Sequence, residues 1–160
     1  MNLVLDLMLR VLSHVMPWGL RWYYSPSTLA KMIRVTINSE NDGLVVNCAG
    51  IPDARVWFEV TNQSPFPMEI QAMAVDLIWG AKVGQFVSIE RKRINSHSYE
   101  RLLVETVLTK EQANYIKEHH TENTPRLVVL IEFNCRIQAF ALFGREITTT
   151  NHRVVNASVA

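Results

Sequence analysis

The sequence predicts a mainly β protein preceded by a helical N-terminus. Apolar residues recur at helical spacing over the first two dozen positions, whereas from about residue 33 onward apolar and polar residues alternate. Seven or so strand-like runs separated by turn-forming residues follow, and together they fill roughly 120 residues. We therefore expect a seven-stranded antiparallel sandwich of immunoglobulin-like character with one short helix, and a small barrel is the alternative.

The composition limits the class of protein before any element is placed. A chain of 160 residues is long enough to close one hydrophobic core without a metal or a disulfide. Apolar residues make up 48% and charged residues 19%, which is far from the composition of a disordered chain. The net charge of +1 gives no overall attraction to polyanions, so we predict no nucleic-acid partner.

The first 24 residues form an amphipathic helical pattern. On a helical wheel the polar residues fall within an arc of about 120°, and the rest of the circumference is apolar. Tryptophan and tyrosine favour the headgroup zone of a membrane. We predict membrane or partner contact through Leu3, Leu5, Leu7, Leu9, Leu12, Met16, Trp18, Trp22 and Tyr23.

Four structures could explain this apolar segment. A cleaved signal peptide is disfavoured because no basic region precedes the apolar stretch and no small-residue cleavage site follows it. A spanning helix would place Asp6 and Arg10 in hydrocarbon, at about 2.5 to 3.5 kcal/mol each. A helix lying in the membrane plane fits the narrow polar stripe better. Packing on the protein's own sheet or on a partner subunit remains open.

Two features divide the chain into a helical segment and a body. Pro17 is expected to kink or end the first helix, and Ser25 followed by Pro26 is typical of the start of a second one. We assign residues 1–32 to a membrane- or partner-binding helical segment and residues 33–160 to the sandwich. If the segment spans, nearby basic residues favour the cytoplasmic side for the body.

The body shows its strands in order. Seven strand-like runs cover residues 35–37, 44–48, 55–61, 68–79, 83–89, 102–108 and 127–135, and the strand-like pattern continues through residues 137–143 and 147–155. Leu127 to Cys135 is the strongest of them because every second residue is apolar. Thr109 and Gln112 have the spacing of a capping box, which predicts a short helix from Lys110 to about His120.

The side chains that could carry chemistry are dispersed. No GxSxG, P-loop, GxGxxG or HExxH motif occurs, so we expect no catalytic residues, no cofactor and no metal. Cys48 and Cys135 are expected to be buried core residues, and whether they pair is open. Asp76 lies among apolar residues and is expected to meet an arginine or a turn amide.

One basic run, Arg91, Lys92 and Arg93, is the candidate contact for phosphate or lipid headgroups. Basic groups attract phosphate, but the aromatic residues that would interleave a nucleic-acid site are absent from this run. A solvated hairpin end is the alternative.

The run from Val56 to Ile70, VWFEVTNQSPFPMEI, resembles the strand–Asn–x–x–Pro–Phe–Pro–strand signature of the late embryogenesis abundant group 2 family, also called the water-stress and hypersensitive-response domain. The following Ala74–Leu77 segment and the short helix before Leu127 also match that family's order. The resemblance covers roughly residues 44–155. It implies a seven-stranded sandwich with one helix, no known catalytic residues and a frequent N-terminal membrane anchor.

Two functions follow as hypotheses. The first is a non-enzymatic accessory or scaffolding protein that is held at a membrane or in a membrane complex and docks a partner. The second is a carrier or sensor of an apolar ligand such as a lipid. In the second case Met68, Met73, Trp79 and Phe86 are the candidate lining residues, with core packing as their alternative role.

Overall fold

Ten β-strands in two sheets form the body of the protein in the computed structural model, which describes residues 4, 7–8, 11–12, 17–38 and 43–156. The strands are β1 Ile33–Ile37, β2 Leu44–Asn47, β3 Asp53–Asn62, β4 Met68–Trp79, β5 Ala81–Ser88, β6 Lys92–Ile94, β7 Ser98–Val107, β8 Arg126–Cys135, β9 Ala139–Thr148 and β10 His152–Val155. The helices that the structure describes without gaps are α1 Pro17–Tyr23, α2 Pro26–Lys31 and α3 Lys110–His119.

The first sheet is built around β3. One edge of β3 pairs along its whole length with β7, and the other edge pairs with β2 at its beginning and with β1 at its end. The last strand, β10, extends this sheet by pairing with β2 in parallel. The expectation of a wholly antiparallel arrangement is therefore wrong at this pair.

The second sheet is built around β4 in the same way. One edge of β4 pairs with β8, and the other pairs with β6 at its beginning and with β5 at its end. Strand β9 lies beyond β8. In each sheet, two shorter strands share one edge of the central strand. Each sheet has five strands in total.

The predicted number of seven strands is wrong, and β6 shows the physical reason. Its sequence, Lys-Arg-Ile, has a single apolar residue, so the alternating pattern predicts no strand there. Pairing with β4 makes it a strand, because the open edge of β4 supplies hydrogen-bond partners for its backbone. A mainly β fold with two sheets is confirmed.

The core lies between the two sheets and matches the alternation in the sequence. Val56, Phe58 and Val60 are fully buried from β3, and from β8 the alternate residues 127, 129, 131, 133 and 135 are all buried. Met68, Met73, Trp79 and Phe86, the candidate ligand-lining residues, are packed in the same cluster. These four side chains are therefore core residues in the structure.

Helix α3 forms as predicted. Thr109 Oγ1 accepts a hydrogen bond from the backbone of Gln112 at 3.2 Å, and Gln112 Oε1 accepts one from the backbone of Thr109 at 2.8 Å. This reciprocal capping box satisfies two amide groups that a helix start leaves unpaired. Ala113 and Ile116 face the core, at 2% and 0% exposed.

Helices α1 and α2 lead directly into the body. Ser25 is the N-cap of α2, and its side chain accepts from the backbone of Thr28 at 3.3 Å, as the sequence predicted. The helix ends at Lys31, and Ile33 begins β1. Tyr24 and Leu29 belong to the core cluster, so the proposed division at residue 32 stays a prediction. None of the described helices has the length and apolar content that crossing a membrane requires.

Candidate functional site

The described residues of the first turns present apolar side chains to solvent. Val4, Leu7, Met8, Val11 and Leu12 are helical and between 39% and 67% exposed. The last four line one shared apolar surface, which their helical spacing produces. Of the predicted contacts, Leu3, Leu5, Leu9 and Met16 lie outside the described residues, as does the side chain of Trp18.

Trp22 and Tyr23 are a second set of exposed apolar side chains, at the end of α1. Their side chains are 88% and 70% exposed, whereas the next residue, Tyr24, is 8% exposed. Consecutive helix residues point about 100° apart, so the chain can bury one aromatic side chain and leave its two predecessors in solvent. Aromatic side chains of this type are enriched at membrane–water interfaces.

Three contacts hold α1 against one end of the sandwich. Arg21 Nε donates to the carbonyl oxygen of Ile137 at 2.7 Å, and Gln138 Nε2 donates to the carbonyl oxygen of Tyr24. The ring of Tyr24 meets that of Phe66 edge to face, with 5.0 Å between centroids. The exposed pair Trp22 and Tyr23 is therefore fixed beside the corner between β3 and β4 and the turn between β8 and β9.

That corner is organised by one buried amide. Asn62 Nδ2 donates to the carbonyl oxygens of Phe66 at 2.7 Å and Asn95 at 3.0 Å. Its Oδ1 accepts from both the backbone and the hydroxyl of Ser64, at 2.9 and 2.7 Å. Asn62 and Ser64 are completely buried, so the asparagine that the sequence motif singled out closes the corner from within.

The side chains of the predicted basic run, Arg91, Lys92 and Arg93, differ in their surroundings, and their contact with phosphate or lipid headgroups stays a prediction. Arg91 is exposed, but Lys92 Nζ donates to the carbonyl oxygen of Arg101 at 2.8 Å and lies 3.8 Å from Glu100 Oε2. Arg93 points away from Lys92, because alternate residues of β6 face opposite sides of the sheet. Only Arg91 and Arg93 keep exposed side chains.

Arg93 lines the same cleft as Arg136, a residue that the sequence did not indicate. Together with Pro67, Glu69 and Asn134, the two arginines line an open cleft of about 310 Å³. In the strand register, Glu69 lies opposite Arg93 of β6 on one side and opposite Asn134 of β8 on the other. The three residues therefore form one row across β6, β4 and β8. Because this row depends on strand register, no local sequence pattern could reveal it.

A second cleft lies at the far end of β3. Ile51 and Val107, at 76% and 69% exposed, border it, and Arg55 lies between the carboxylates of Asp53 and Glu105 at 2.8 and 3.7 Å. Residue 53 begins β3 and residue 62 ends it, so this cleft is about 30 Å from the corner at Asn62.

The remaining candidates are accounted for by local contacts. Asp76 Oδ2 is 2.9 Å from Lys82 Nζ, so its partner is a lysine of the adjacent strand and not the expected arginine or turn amide. Cys48 and Cys135 are both buried and both free, as core thiols. His119 ends α3, and its ring stacks on that of Tyr115 with 4.3 Å between the ring centroids. The described residues contain no cluster of three side chains suited to a metal ion.

These features define a mainly β, two-sheet protein. Its N-terminal segment up to Tyr23, which we call the arm, ends in α1, and α1 is attached at one end of the sandwich. An X-ray structure of a Northeast Structural Genomics Consortium target is similar to it, with a TM-score of 0.51 at 8% identity over 81% of this chain and 91% of that one. At that identity the likeness shows a shared fold alone. No protein-family model matches the chain, and no curated protein matches its sequence.

Two further solved structures are more remote. A protein from Archaeoglobus fulgidus has a TM-score of 0.38 at 12% identity, over 74% of this chain and 95% of that one. The solution structure of a protein described as late embryogenesis abundant has a TM-score of 0.34 at 10% identity, over 92% of this chain and 88% of that one. Neither likeness is close enough to support an argument about function.

Proposed function

We propose that this chain is a non-enzymatic, membrane-associated accessory protein that uses its helical arm to bind the membrane and its sandwich to dock a partner. The observation that carries the proposal is the exposure of Trp22 and Tyr23 directly before buried Tyr24. Exposed aromatic side chains lose apolar hydration when they enter the headgroup region. The apolar surface of Leu7, Met8, Val11 and Leu12 adds to the area available for insertion.

The attachment of α1 supports a defined orientation of the body on the membrane. The Arg21–Ile137 bond and the Tyr24–Phe66 contact keep Trp22 and Tyr23 at one end of the sandwich. Insertion of these two residues would bring that end to the bilayer. The opposite end, with exposed Ile51 and Val107, would then face away from it and be accessible to a partner protein.

We also propose that the body is a distant, immunoglobulin-like relative of the late embryogenesis abundant group 2 domain. The Asn-x-x-Pro-Phe-Pro segment supports this, since its asparagine is the buried centre of the β3–β4 corner. Sequences of close relatives should keep an asparagine or an equivalent hydrogen-bonding residue at position 62. Free substitution by apolar residues there would contradict the relationship.

Membrane binding is tested with vesicles of neutral phosphatidylcholine and two arm variants. One variant lacks residues 1–16, which keeps the contacts of Arg21 and Tyr24, and the other carries Trp22→Ser with Tyr23→Ser. Both should bind at least about tenfold more weakly than the full chain, because exposed apolar area drives interfacial binding. The matched control carries Ile51→Ser with Val107→Ser, which removes two similarly exposed side chains at the other end.

The result is decisive when all variants are folded, which circular dichroism establishes. Equal vesicle binding by the full chain and both arm variants would overturn the membrane role of the arm. The docking role is measured separately, by purification from gently solubilised membranes. A partner that is retained by the arm variants and lost from the Ile51→Ser, Val107→Ser variant supports docking at the far end, whereas the reverse result contradicts it.

A further inference from the structure

We propose that the cleft between Arg93 and Arg136 binds a phosphate group, and that in the membrane-docked protein this group is the headgroup phosphate of an anionic lipid. The inference rests on the proposed membrane docking. It replaces the basic run of residues 91–93 with a site that only the fold assembles, from β6, β4 and the turn after β8.

Strand register brings the donors of this cleft together. Met68, Ile94 and Cys135 form one buried row across β4, β6 and β8, and the next row, Glu69, Arg93 and Asn134, faces the opposite side of the sheet. Arg136 follows Cys135 directly and lines the same cleft as Arg93. Two guanidinium groups and an amide therefore border one opening.

The two arginines have no ion-pair or hydrogen-bond partner among the residues that the structure describes. Among the described residues, neither Arg93 nor Arg136 makes an ion pair or a side-chain hydrogen bond, even though Glu69 lies in the same row. By contrast, Arg55 and Arg126 pair with carboxylates at 2.8 and 2.9 Å. Each guanidinium of the cleft thus keeps its full set of planar donors, a geometry that suits two oxygens of one phosphate.

The position of the cleft favours a lipid as the source of the phosphate. Pro67 and Arg136 line the cleft, and their sequence neighbours Phe66 and Ile137 are the residues that hold Tyr24 and Arg21 at the end of the arm. When Trp22 and Tyr23 enter the interface, the cleft lies at the same end of the body. Basic groups within a Debye length of an anionic surface contribute to binding there.

The test compares Arg93→Gln and Arg136→Gln with the matched control Arg91→Gln, all in the full chain. Arg91 is exposed and loses the same charge, but it does not line the cleft. On vesicles of phosphatidylcholine with phosphatidic acid, we expect each cleft variant to bind about fivefold more weakly, as loss of one arginine near an anionic surface predicts. The control should change by less than about twofold. Equal weakening by all three variants would overturn the site.

A fourth variant tests the sign of the charge effect. Glu69→Gln removes the single carboxylate among the described residues that line the cleft, so binding to the phosphatidic acid vesicles should strengthen by a few-fold. Unchanged or weaker binding would count against a phosphate in contact with this row.

Titration with inorganic phosphate distinguishes the source of the ligand and separates the two proposals. Shifts in the NMR signals of Arg93 and Arg136 with phosphate alone show a site for the free anion, and shifts only with phosphatidic acid vesicles show a site for the lipid; both support the cleft. No shift with either ligand rejects it. On vesicles of pure phosphatidylcholine, the cleft variants should bind as tightly as the full chain. If only the arm variants lose binding, and lose it on both vesicle types, the result supports the role of the arm and rejects the cleft.

Discussion

The side-chain amide of Asn62 donates a hydrogen bond of 3.0 Å to the backbone carbonyl of Asn95. This bond joins the corner after β3 to the turn before β7, the strand that pairs with β3 along its whole length. Because Asn62 also bonds to Ser64 and Phe66, one side chain fixes the corner, the neighbouring turn and the surface on which Tyr24 packs.

Replacing Asn62 with alanine should lower the free energy of unfolding by about 2 to 3 kcal/mol. The substitution removes the acceptor of the buried Ser64 amide and the donor to the carbonyl oxygens of Phe66 and Asn95. The Phe66 carbonyl keeps its bond from the Ser64 hydroxyl, so the main cost is the unpaired buried amide of Ser64. Urea unfolding measures the change. Asn134→Ala, on an exposed strand position, should stay within about 0.5 kcal/mol. Similar losses in the two variants would show that the corner does not depend on Asn62.

Tyr24 and Phe66 should be energetically coupled. In a double-mutant cycle of Tyr24→Leu and Phe66→Leu, the edge-to-face contact predicts a coupling of about 0.5 to 1.5 kcal/mol beyond the area that each ring buries. Unfolding of the four proteins in urea supplies the values. A second cycle with Tyr99, which is 53% exposed, in place of Tyr24 should be additive. If the Tyr24 cycle is equally additive, α1 is not held through this contact.

The capping box should be needed for α3. Thr109→Ala removes the hydroxyl that accepts from the backbone of Gln112, which we expect to cost about 1 kcal/mol. The same measurement on Thr124→Ala, an exposed threonine in the loop after the helix, should give almost no change. A loss at Thr109 no greater than at Thr124 would contradict the role of the cap.

The Cys48 thiol should make stability depend on alkaline pH. Burial raises the pKa of this thiol above its ordinary value of 9.0, and the positive charge of Lys117 lowers it by a smaller amount. The unfolded chain therefore ionises first, so this contribution is fully present below the ordinary pKa and is lost as pH rises from there through the folded pKa.

The comparison with Cys48→Ala isolates this effect. The difference in unfolding free energy between the natural chain and the variant should be constant at neutral pH and should shrink as pH rises above 9.0. Other groups titrate in the same range, but they are common to both proteins and cancel. A difference that does not change with pH would mean that the folded thiol ionises as readily as the unfolded one.

Local sequence patterns predict much of the body. The alternation of Val56, Phe58 and Val60, the strand from Met68 to Trp79 and the capping box at Thr109 depend on near neighbours in the chain, and each is confirmed. The N-cap at Ser25 is confirmed for the same reason. Each of these features depends on residues a few positions apart, because the alternation of apolar side chains and the hydrogen bonds of a helix cap both involve near neighbours in the chain.

Strand number was less predictable because short edge strands depend on a neighbour. Strand β6 has one apolar residue, and β10 forms by parallel pairing with β2, a strand more than a hundred positions earlier in the chain. Strand β6 has no periodic pattern long enough to identify it, whereas β10 lies within the strand-like run 147–155, whose division from β9 and pairing with β2 the local pattern does not show. The backbone groups of such segments become strands only when the edge of another strand offers them partners.

The sequence by itself determined the apolar surface of the arm, the alternation that builds the two sheets and the asparagine that closes the corner. Only the tertiary structure decided that Lys92 bonds to the carbonyl of Arg101 while Arg93 shares a cleft with Arg136. The physical reason is strand register: a side chain's face is set by local alternation, but its neighbours across a sheet are set by which strands pair and at which residue.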